Sequence, residues 1–388
     1  MEFVNNHIHT TYSFSPYTPA EAVRKAAEAG LATCGIMDHD SIGGAREFIA
    51  EGRRIGIKTT VGLEARIKLS DTPFSGVFVN NPDQKGTAYV ALHGVPHQNI
   101  ERLNAVFAPL RAKRNIRNAA MSEKIAALVR PFGIKYDFQA DVLPHTLYAA
   151  GGAVTERTLC RALALKLVER FGRGAGLLSA ISDLGLKPEG KIKEYLEDVQ
   201  NPHFEYDLLG VIKSGLVSKF YLNADAECLA APEFIALAND VGAISAYAYL
   251  GDVAESVTGD KKRQQFEDSY LGGLVAWLKA AGFNAVTYMP SRNTLEQTAR
   301  IRALCKANGL FEISGEDINS PRQSFICKNL ELPQFRHLVP ATYALIGHET
   351  AASANIANGM FSAETIGKAP GLEERIAWFE RIGRANDK

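Results

Sequence analysis

Short apolar runs alternate with helical patterns along the first third of the chain. Apolar residues at about 3–4, 32–37 and 57–69 predict strands, and the stretches at about 19–30 and 43–56 predict helices between them. This β-α-β-α-β order is typical of parallel strands joined by crossover helices. It predicts an α/β layered fold or barrel.

The pattern changes in the middle of the chain, where long helical stretches at about 100–129 and 155–170 predict a helical insertion. From about Pro232 to Ser314 the α/β alternation returns. We therefore predict one barrel-like domain interrupted by a smaller one. The expected bounds are two barrel halves at 1–98 and 226–350, an insertion at 99–225 and a C-terminal helical tail at 351–388.

Composition narrows the class of protein. The chain has 388 residues of which 46% are hydrophobic, so it can bury a substantial core. Lys and Arg total 43, as do Asp and Glu, which argues against a general attraction to nucleic acid or membranes. The five Cys are scattered along the chain, which is typical of a protein in a reducing compartment. No apolar stretch approaches the roughly 20 residues that a membrane-spanning helix needs. We predict a cytoplasmic protein without a membrane partner, and the oligomeric state stays open.

Polar clusters follow several predicted strands, where parallel α/β folds build their sites. Each alone is weak evidence, since a lone H-x-H pair is common and a lone carboxylate is often only a helix cap. Their repetition favours a divalent ion, because ionisable groups beside a buried strand end need partners. Imidazole and carboxylate together suit Zn, Mn or Fe. The clusters are His7-Ile8-His9, Asp38-His39-Asp40, Glu64 and Glu316-Asp317-Ile318-Asn319.

These clusters resemble the successive motifs of the polymerase and histidinol phosphatase (PHP) family, which typically read H-x-H, T-D-H-D, G-x-E and G-S-D-x-H. Their order and spacing agree, and the similarity to the stand-alone phosphoesterase branch extends across the helical region. The resemblance implies a distorted (β/α)7 barrel with a helical insertion domain. It also implies a metal site formed by His7, His9, Glu64 and Asp317, and a further site that uses His39.

The chain departs from the family motifs at three positions. Phe14 stands where an Asp is usual, Tyr247 where a His is usual, and Asn319 replaces the last His. These losses predict fewer than three ions, so we expect one or two of Mn, Zn or Fe per chain. A remaining site would need a His after Glu64, for which we predict His93, although His97 is close enough to be an alternative.

Basic residues of the predicted insertion are candidates for substrate binding. Arg111, Arg114 and Arg117 recur every three residues, so they can share one helix face and bind phosphate. A solvated helix face is the alternative interpretation. The family resemblance adds Arg157, and it places Tyr247 and Asn319 where they could contact substrate.

The resulting hypothesis is metal-dependent hydrolysis of a phosphate ester on a small molecule, of the nucleotide or sugar phosphate class. Asp317 and His39 are the catalytic candidates, and the phosphorylated substrate is the expected partner. The alternative is a catalytically impaired PHP-like domain that binds a phosphorylated ligand or a protein. The balanced charge argues against a nuclease or a proofreading role.

Overall fold

The computed structural model describes residues 2–252 and 267–385. Its described strands form a single sheet in the order β1-β2-β3-β4-β6-β7-β8, and the short β5 pairs with the end of β3. The apolar runs of the sequence supply these strands. Their bounds are β1 (Phe3–Ile8), β2 (Leu31–His39), β3 (Lys58–Lys68), β4 (Thr87–His93), β5 (Leu229–Ala230), β6 (Ile244–Tyr249), β7 (Ala285–Tyr288) and β8 (Phe311–Ser314).

The sheet curls until its two outer strands approach each other. Ile8, which ends β1, forms a parallel bridge with Ile318 just beyond β8. His9 N donates to Ile318 O at 2.9 Å, and Ile318 N donates to His7 O at 3.1 Å. The prediction of a distorted (β/α)7 barrel with helical regions is confirmed.

One strand runs against the predicted parallel pattern. β4 is antiparallel to both β3 and β6, whereas the other neighbouring strands along the curled sheet are parallel. Residues 69–86, all of which are described, contain turns but no helix. Without a crossover helix the chain returns directly, so the next strand runs antiparallel.

The helices account for most of the remaining described residues. Capping residues mark where they begin and end. At the start of the first helix the Thr18 side chain accepts from Glu21 N, and the Glu21 carboxylate accepts from Thr18 N. Gly56, at φ 79°, ends the second helix. None of the described helices is long and apolar enough to cross a bilayer. Their bounds are α1 (Pro19–Glu28), α2 (Ala45–Ile55), α3 (Ile100–Val129), α4 (Glu156–Phe171), α5 (Ala175–Asp183), α6 (Gly190–Glu197), α7 (Phe204–Phe220), α8 (Ala231–Val241), α9 (Leu271–Ala281), α10 (Leu295–Asn308), α11 (Leu338–Ala354), α12 (Ala363–Lys368) and α13 (Leu372–Arg384).

Helices α3 to α7 share a hydrophobic cluster of their own. Its members include Met121, Leu163 and Phe204, each almost fully buried. Phe14, from the loop after β1, also packs into this cluster. These helices, α3 to α7, are called the helical segment below. The segment contacts the barrel through the loop that follows the H-x-H pair.

Helix α11 supports the strands below their carboxyl ends. Asn6 Nδ2 donates to Thr342 Oγ1 at 2.8 Å, and Val61 N donates to Glu349 Oε2 at 2.7 Å. Ala344 and Leu345 pack in one cluster with Ile244 of β6 and Phe311 of β8. The helix crosses residue 350, which the sequence predicted as the end of the barrel.

The contact between α11 and α13 generates the first prediction. A Cβ on Gly347 would meet the backbone of Phe379 and Gly383, so alanine should force these helices apart. We expect Gly347→Ala to lower the free energy of unfolding of the metal-free protein by about 1–3 kcal/mol, measured by urea denaturation. Gly367→Ala in α12 is the matched control, because its Cβ would meet nothing within 4 Å. Equal stability of the two variants would contradict the prediction.

Candidate metal centre

Three of the predicted ligands form a compact group. One ligand atom from each of His7, His9 and Glu64 lies within 4.8 Å of the others, and all three residues are buried. β1 carries His7 and leads directly into His9, and β3 carries Glu64. The extended backbone turns His7 and His9 to the same side, as their spacing predicted.

The individual distances show how tightly these atoms converge. His7 Nε2 and His9 Nε2 are 3.2 Å apart, and they lie 3.8 and 3.9 Å from Glu64 Oε2. Asp317 Oδ1, from the loop after β8, is 3.1 Å from His9 Nε2. The structure therefore groups three residues of the predicted first site, and Asp317 joins them through its contact with His9.

The arrangement fits a divalent metal ion. Ligands at about 2.0–2.2 Å from a common zinc ion would be roughly 3.3–3.6 Å apart at tetrahedral angles, close to the separations observed. His93 Nε2 is buried without a hydrogen-bond partner among the described residues. Such an orphaned imidazole nitrogen beside a group of ligands is what an absent ion would explain.

Electrostatics keep the carboxylates ionised. Burial alone would raise the pKa of Glu64, but the charge and hydrogen bond of His39 lower it to about 2. Burial likewise opposes ionisation of Asp317, yet its hydrogen bond with His9 and the charges of His9, His7 and Arg157 hold its pKa well below the ordinary value. Ionised carboxylates are the form that binds metal.

The imidazoles divide into two kinds. Burial lowers the pKa of His7, and burial together with the charge of His7 lowers the pKa of His93 to about 3. Burial acts in the same direction on His9, but Asp317 outweighs it and raises the pKa of His9. His7 and His93 are therefore neutral near pH 7, as metal ligands must be.

His39 and His97, which the sequence also suggested, lie in different surroundings. His39 Nδ1 is 2.9 Å from Glu64 Oε2, and its ring centroid lies 4.6 Å from that of His9. His97 Nε2 instead lies 2.8 Å from Glu349 Oε1, at the helix that supports the strands from below. His39 thus joins the group through Glu64, whereas His97 belongs to another contact.

A small network behind His9 was not recognised from the sequence. Asp38 accepts hydrogen bonds from Thr10 N at 2.7 Å, Thr10 Oγ1 at 2.5 Å and Ser13 Oγ at 2.6 Å. Because the Ser13 hydroxyl donates to Asp38, its oxygen can accept from His9 Nδ1, 3.2 Å away. This bond orients the ring and leaves Nε2 free to bind metal. The feature of the sequence that could have indicated this network is the hydroxyl of Ser13, four residues after His9.

The predicted phosphate ligands Arg114 and Arg117 lie in a buried ion-pair network. Arg114 donates to Asp40 Oδ2 at 2.5 Å and to Glu156 Oε2 at 2.8 Å. Arg117 donates to Glu156 Oε1 at 2.6 Å and to both oxygens of Glu227 at 2.8 Å. The solvated-face interpretation does not fit, since Arg114 and Arg117 are only 4% and 8% exposed.

Arg157 and Phe14 lie next to each other near the carboxylate of Asp317. The Arg157 guanidinium carbon is 5.5 Å from the Phe14 ring centroid, and its charge contributes to the lowered pKa of Asp317. A cavity of about 170 Å³ opens here, and its lining includes Ser13, Phe14, Arg161 and Tyr206. Phe14 is thus turned toward the helical cluster, and Ser13 occupies the side nearest His9.

Tyr247 and Asn319 occupy contrasting places. Tyr247 pairs with Val90 and donates to Glu267 Oε1 at 2.6 Å, so the structure does not bring it to the metal ligands. Asn319 Nδ2, in contrast, donates to Asp317 Oδ1 at 2.6 Å. Of the two predicted substrate contacts, Asn319 alone touches a ligand of the proposed ion.

Buried imidazoles and ionised carboxylates grouped in an α/β barrel are typical of a site for a divalent metal ion. Residues 5–169 match the family model of the PHP domain. This match confirms the resemblance to the PHP family that the motifs predicted. The matched segment contains His7, His9, Glu64 and His93, whereas Asp317 lies beyond it.

Two solved structures share the fold at low identity. A candidate metal-dependent phosphoesterase from Bifidobacterium adolescentis is 20% identical, with a TM-score of 0.55 over 88% of this chain and 96% of that one. An amidohydrolase from Chromobacterium violaceum, with bound sulfate and no metal, is 18% identical, with a TM-score of 0.53 over 87% and 96%. No curated protein matches the chain significantly. These likenesses establish the fold.

The second prediction concerns the bond that orients His9. Replacing Ser13 with Ala removes the oxygen next to His9 Nδ1 and one of the donors to Asp38. We expect Ser13→Ala to weaken binding of Mn²⁺ or Zn²⁺ by about 10- to 100-fold, measured by titration calorimetry. Ser15→Ala is the matched control, because Ser15 is also buried and its hydroxyl accepts from Tyr17 N. Unchanged metal affinity in Ser13→Ala would rule out the orienting role.

Proposed function

We propose that this protein hydrolyses a phosphate ester on a small molecule, of the nucleotide or sugar phosphate class, with the help of one or two divalent ions. The observation that carries the proposal is the compact group of His7, His9 and Glu64, with Asp317 Oδ1 3.1 Å from His9 Nε2. The PHP domain match and the candidate phosphoesterase with the same fold support it.

In the proposed mechanism these residues and His93 hold the metal. A bound divalent ion would stabilise the phosphoryl oxygens as a Lewis acid and lower the pKa of an attacking water. Asp317 is held in place by Asn319, so it can serve both as a ligand and as a neighbouring base. His39 contacts Glu64 through Nδ1, so Nε2 is the nitrogen that would take part in proton transfer.

On the substrate side, Arg157 is the best placed of the predicted basic residues, because its charge reaches Asp317. The adjoining cavity would receive the organic part of the substrate. Arg114 and Arg117 remain proposed phosphate ligands, but either would first have to exchange Glu156 for phosphate. The cytoplasmic location also remains a prediction.

A specific observation argues against phosphate binding by this network, and so favours the alternative of a catalytically impaired PHP-like domain that binds a protein partner. Arg66, Arg114 and Arg117 face Asp40, Glu156 and Glu227, so three cations and three carboxylates neutralise one another. Such a balanced network has no excess positive charge to attract phosphate. Activity and metal content together distinguish this alternative from the enzyme.

The third prediction tests Asp317. We expect the wild-type protein to retain about one or more ions by elemental analysis and to hydrolyse phosphate monoesters when supplied with Mn²⁺. Asp317→Asn should lower kcat/KM by about 100-fold or more, because it removes both a ligand and the proposed base. Glu316→Gln is the matched control, since that carboxylate bonds to Ser291 instead.

The results divide cleanly between the two hypotheses. A wild-type protein that binds metal but hydrolyses none of a panel of nucleotides and sugar phosphates would support the ligand-binding alternative. A wild-type protein that purifies empty and takes up no added Mn²⁺ or Zn²⁺ would contradict the metal site itself.

The fourth prediction separates Arg157 from the ion-pair network. We expect Arg157→Ala to raise KM for a phosphate ester about tenfold and to leave metal content unchanged, because it would contact substrate and not the ion. Arg117→Ala should instead destabilise the protein by about 3–5 kcal/mol, since Glu156 and Glu227 would lose a buried partner. A raised KM in Arg117→Ala with unchanged stability would return this residue to phosphate binding.

A further inference from the structure

The loop that carries Asp317 is held together by one glutamine. Gln323 Oε1 accepts from Asn319 N and from Ser320 N, each at 2.7 Å, and Gln323 Nε2 donates to Asp317 O at 2.7 Å. Asn319 in turn donates to Asp317 Oδ1. The position of the Asp317 carboxylate therefore depends on where Gln323 stands.

The neighbouring Arg322 ties this same loop to the helical segment. Its Nε and Nη2 donate to the two carboxylate oxygens of Asp207, at 2.7 and 2.8 Å, and Nη2 also donates to Asn201 Oδ1 at 3.1 Å. The guanidinium carbon lies 3.7 Å from the centroid of the Tyr195 ring. A bidentate pair of this kind fixes the relative orientation of the guanidinium and the carboxylate as well as their distance.

The far end of this contact is rigid. Asp207 lies in the first turn of α7, and its side chain is only 5% exposed. Asn201 Nδ2 donates to Asp207 Oδ2 at 2.7 Å and to Tyr195 O at 2.9 Å. These bonds hold the Asp207 carboxylate in the helical segment independently of Arg322. The loop that carries Asp317 is therefore positioned relative to Asp207.

We propose that Arg322 is a positioning residue, which anchors the Asp317 loop to the helical segment and thereby sets the affinity of the metal site. The effect runs from Asp207 through Arg322 and Gln323 to Asn319 and Asp317. The inference rests on the proposed function only in requiring that Asp317 binds a metal ion. It gives the helical segment a role in forming the metal site as well as in covering it.

The test measures the affinity of the metal-depleted full-length protein for Mn²⁺ and Zn²⁺ by competition with a chelator, without substrate. We expect Arg322→Ala and Asp207→Ala each to weaken binding about tenfold, as for other residues that orient a ligand. Since both break the same contact, the double variant should weaken binding no more than about twofold beyond either single one. Thermal unfolding of each metal-depleted variant reports the fold separately.

Arg173→Ala provides the matched control. Arg173 also lies over an aromatic ring and donates to backbone oxygens, at Val199 and Asn201, but it bonds within the helical segment. Its loss should therefore cost stability without changing metal affinity. Arg322→Lys keeps the charge but not the bidentate pair, so we expect an intermediate loss of about threefold or more. This variant decides the question if Arg322→Ala does not fold.

The outcomes separate this inference from the proposed function. If the wild-type protein binds metal and Arg322→Lys or Arg322→Ala binds it equally well, the positioning role is overturned while the metal site stands. If Arg173→Ala weakens binding as much as Arg322→Ala, general destabilisation explains the effect and the inference again fails. If the wild-type protein binds no metal, the proposed function fails first.

Discussion

The buried Glu64 carboxylate is the constraint around which the site is organised. Glu64 lies within β3, and a carboxylate removed from water there costs several kcal/mol unless positive or polar partners surround it. Here His39 lies 2.9 Å from it, and His7 and His9 lie just under 4 Å away. Their mutual stabilisation holds a concentrated ligand set in the barrel even before an ion binds, so the geometry that would receive metal is part of the fold.

The helical segment meets this site through charged contacts on two sides. On one side Arg114 joins Asp40, which directly follows His39. On the other, Arg322 joins Asp207 beside the Asp317 loop. The first of these ion pairs is buried and the second is partly exposed. Pairs of this kind contribute little net stability but demand accurate geometry. The two ion pairs therefore define the positions of the loops that carry the ligands. For a metal site, accurate ligand positions matter more than the few kcal/mol of stability that the ion pairs contribute.

Much of this arrangement follows from local sequence patterns. The alternation of strands and helices predicted an α/β layered fold or barrel, and the resemblance of the polar clusters to the PHP motifs implied a site of His7, His9, Glu64 and Asp317. The place of Tyr247 was beyond such reasoning, because it depends on the pairing of β4 with β6. In that register Val90 opposes Tyr247, and a shift of one residue would reverse the face of every side chain. The Asp38 network was equally hidden, since its partners lie 25 to 28 residues away in sequence.

The departures from the family motifs gain a physical interpretation from these contacts. Phe14 has turned into the helical cluster, and its neighbour Ser13 binds His9 and Asp38 instead. Asn319 is a poor ligand for a transition metal, yet its amide holds Asp317 in place. At these two positions a usual ligand is exchanged for a group that orients another ligand, Ser13 beside Phe14 and Asn319 itself, whereas Tyr247 bonds to Glu267. Such an exchange favours fewer ions held at better-defined positions, and it differs from simple decay, which would leave the remaining ligands without partners.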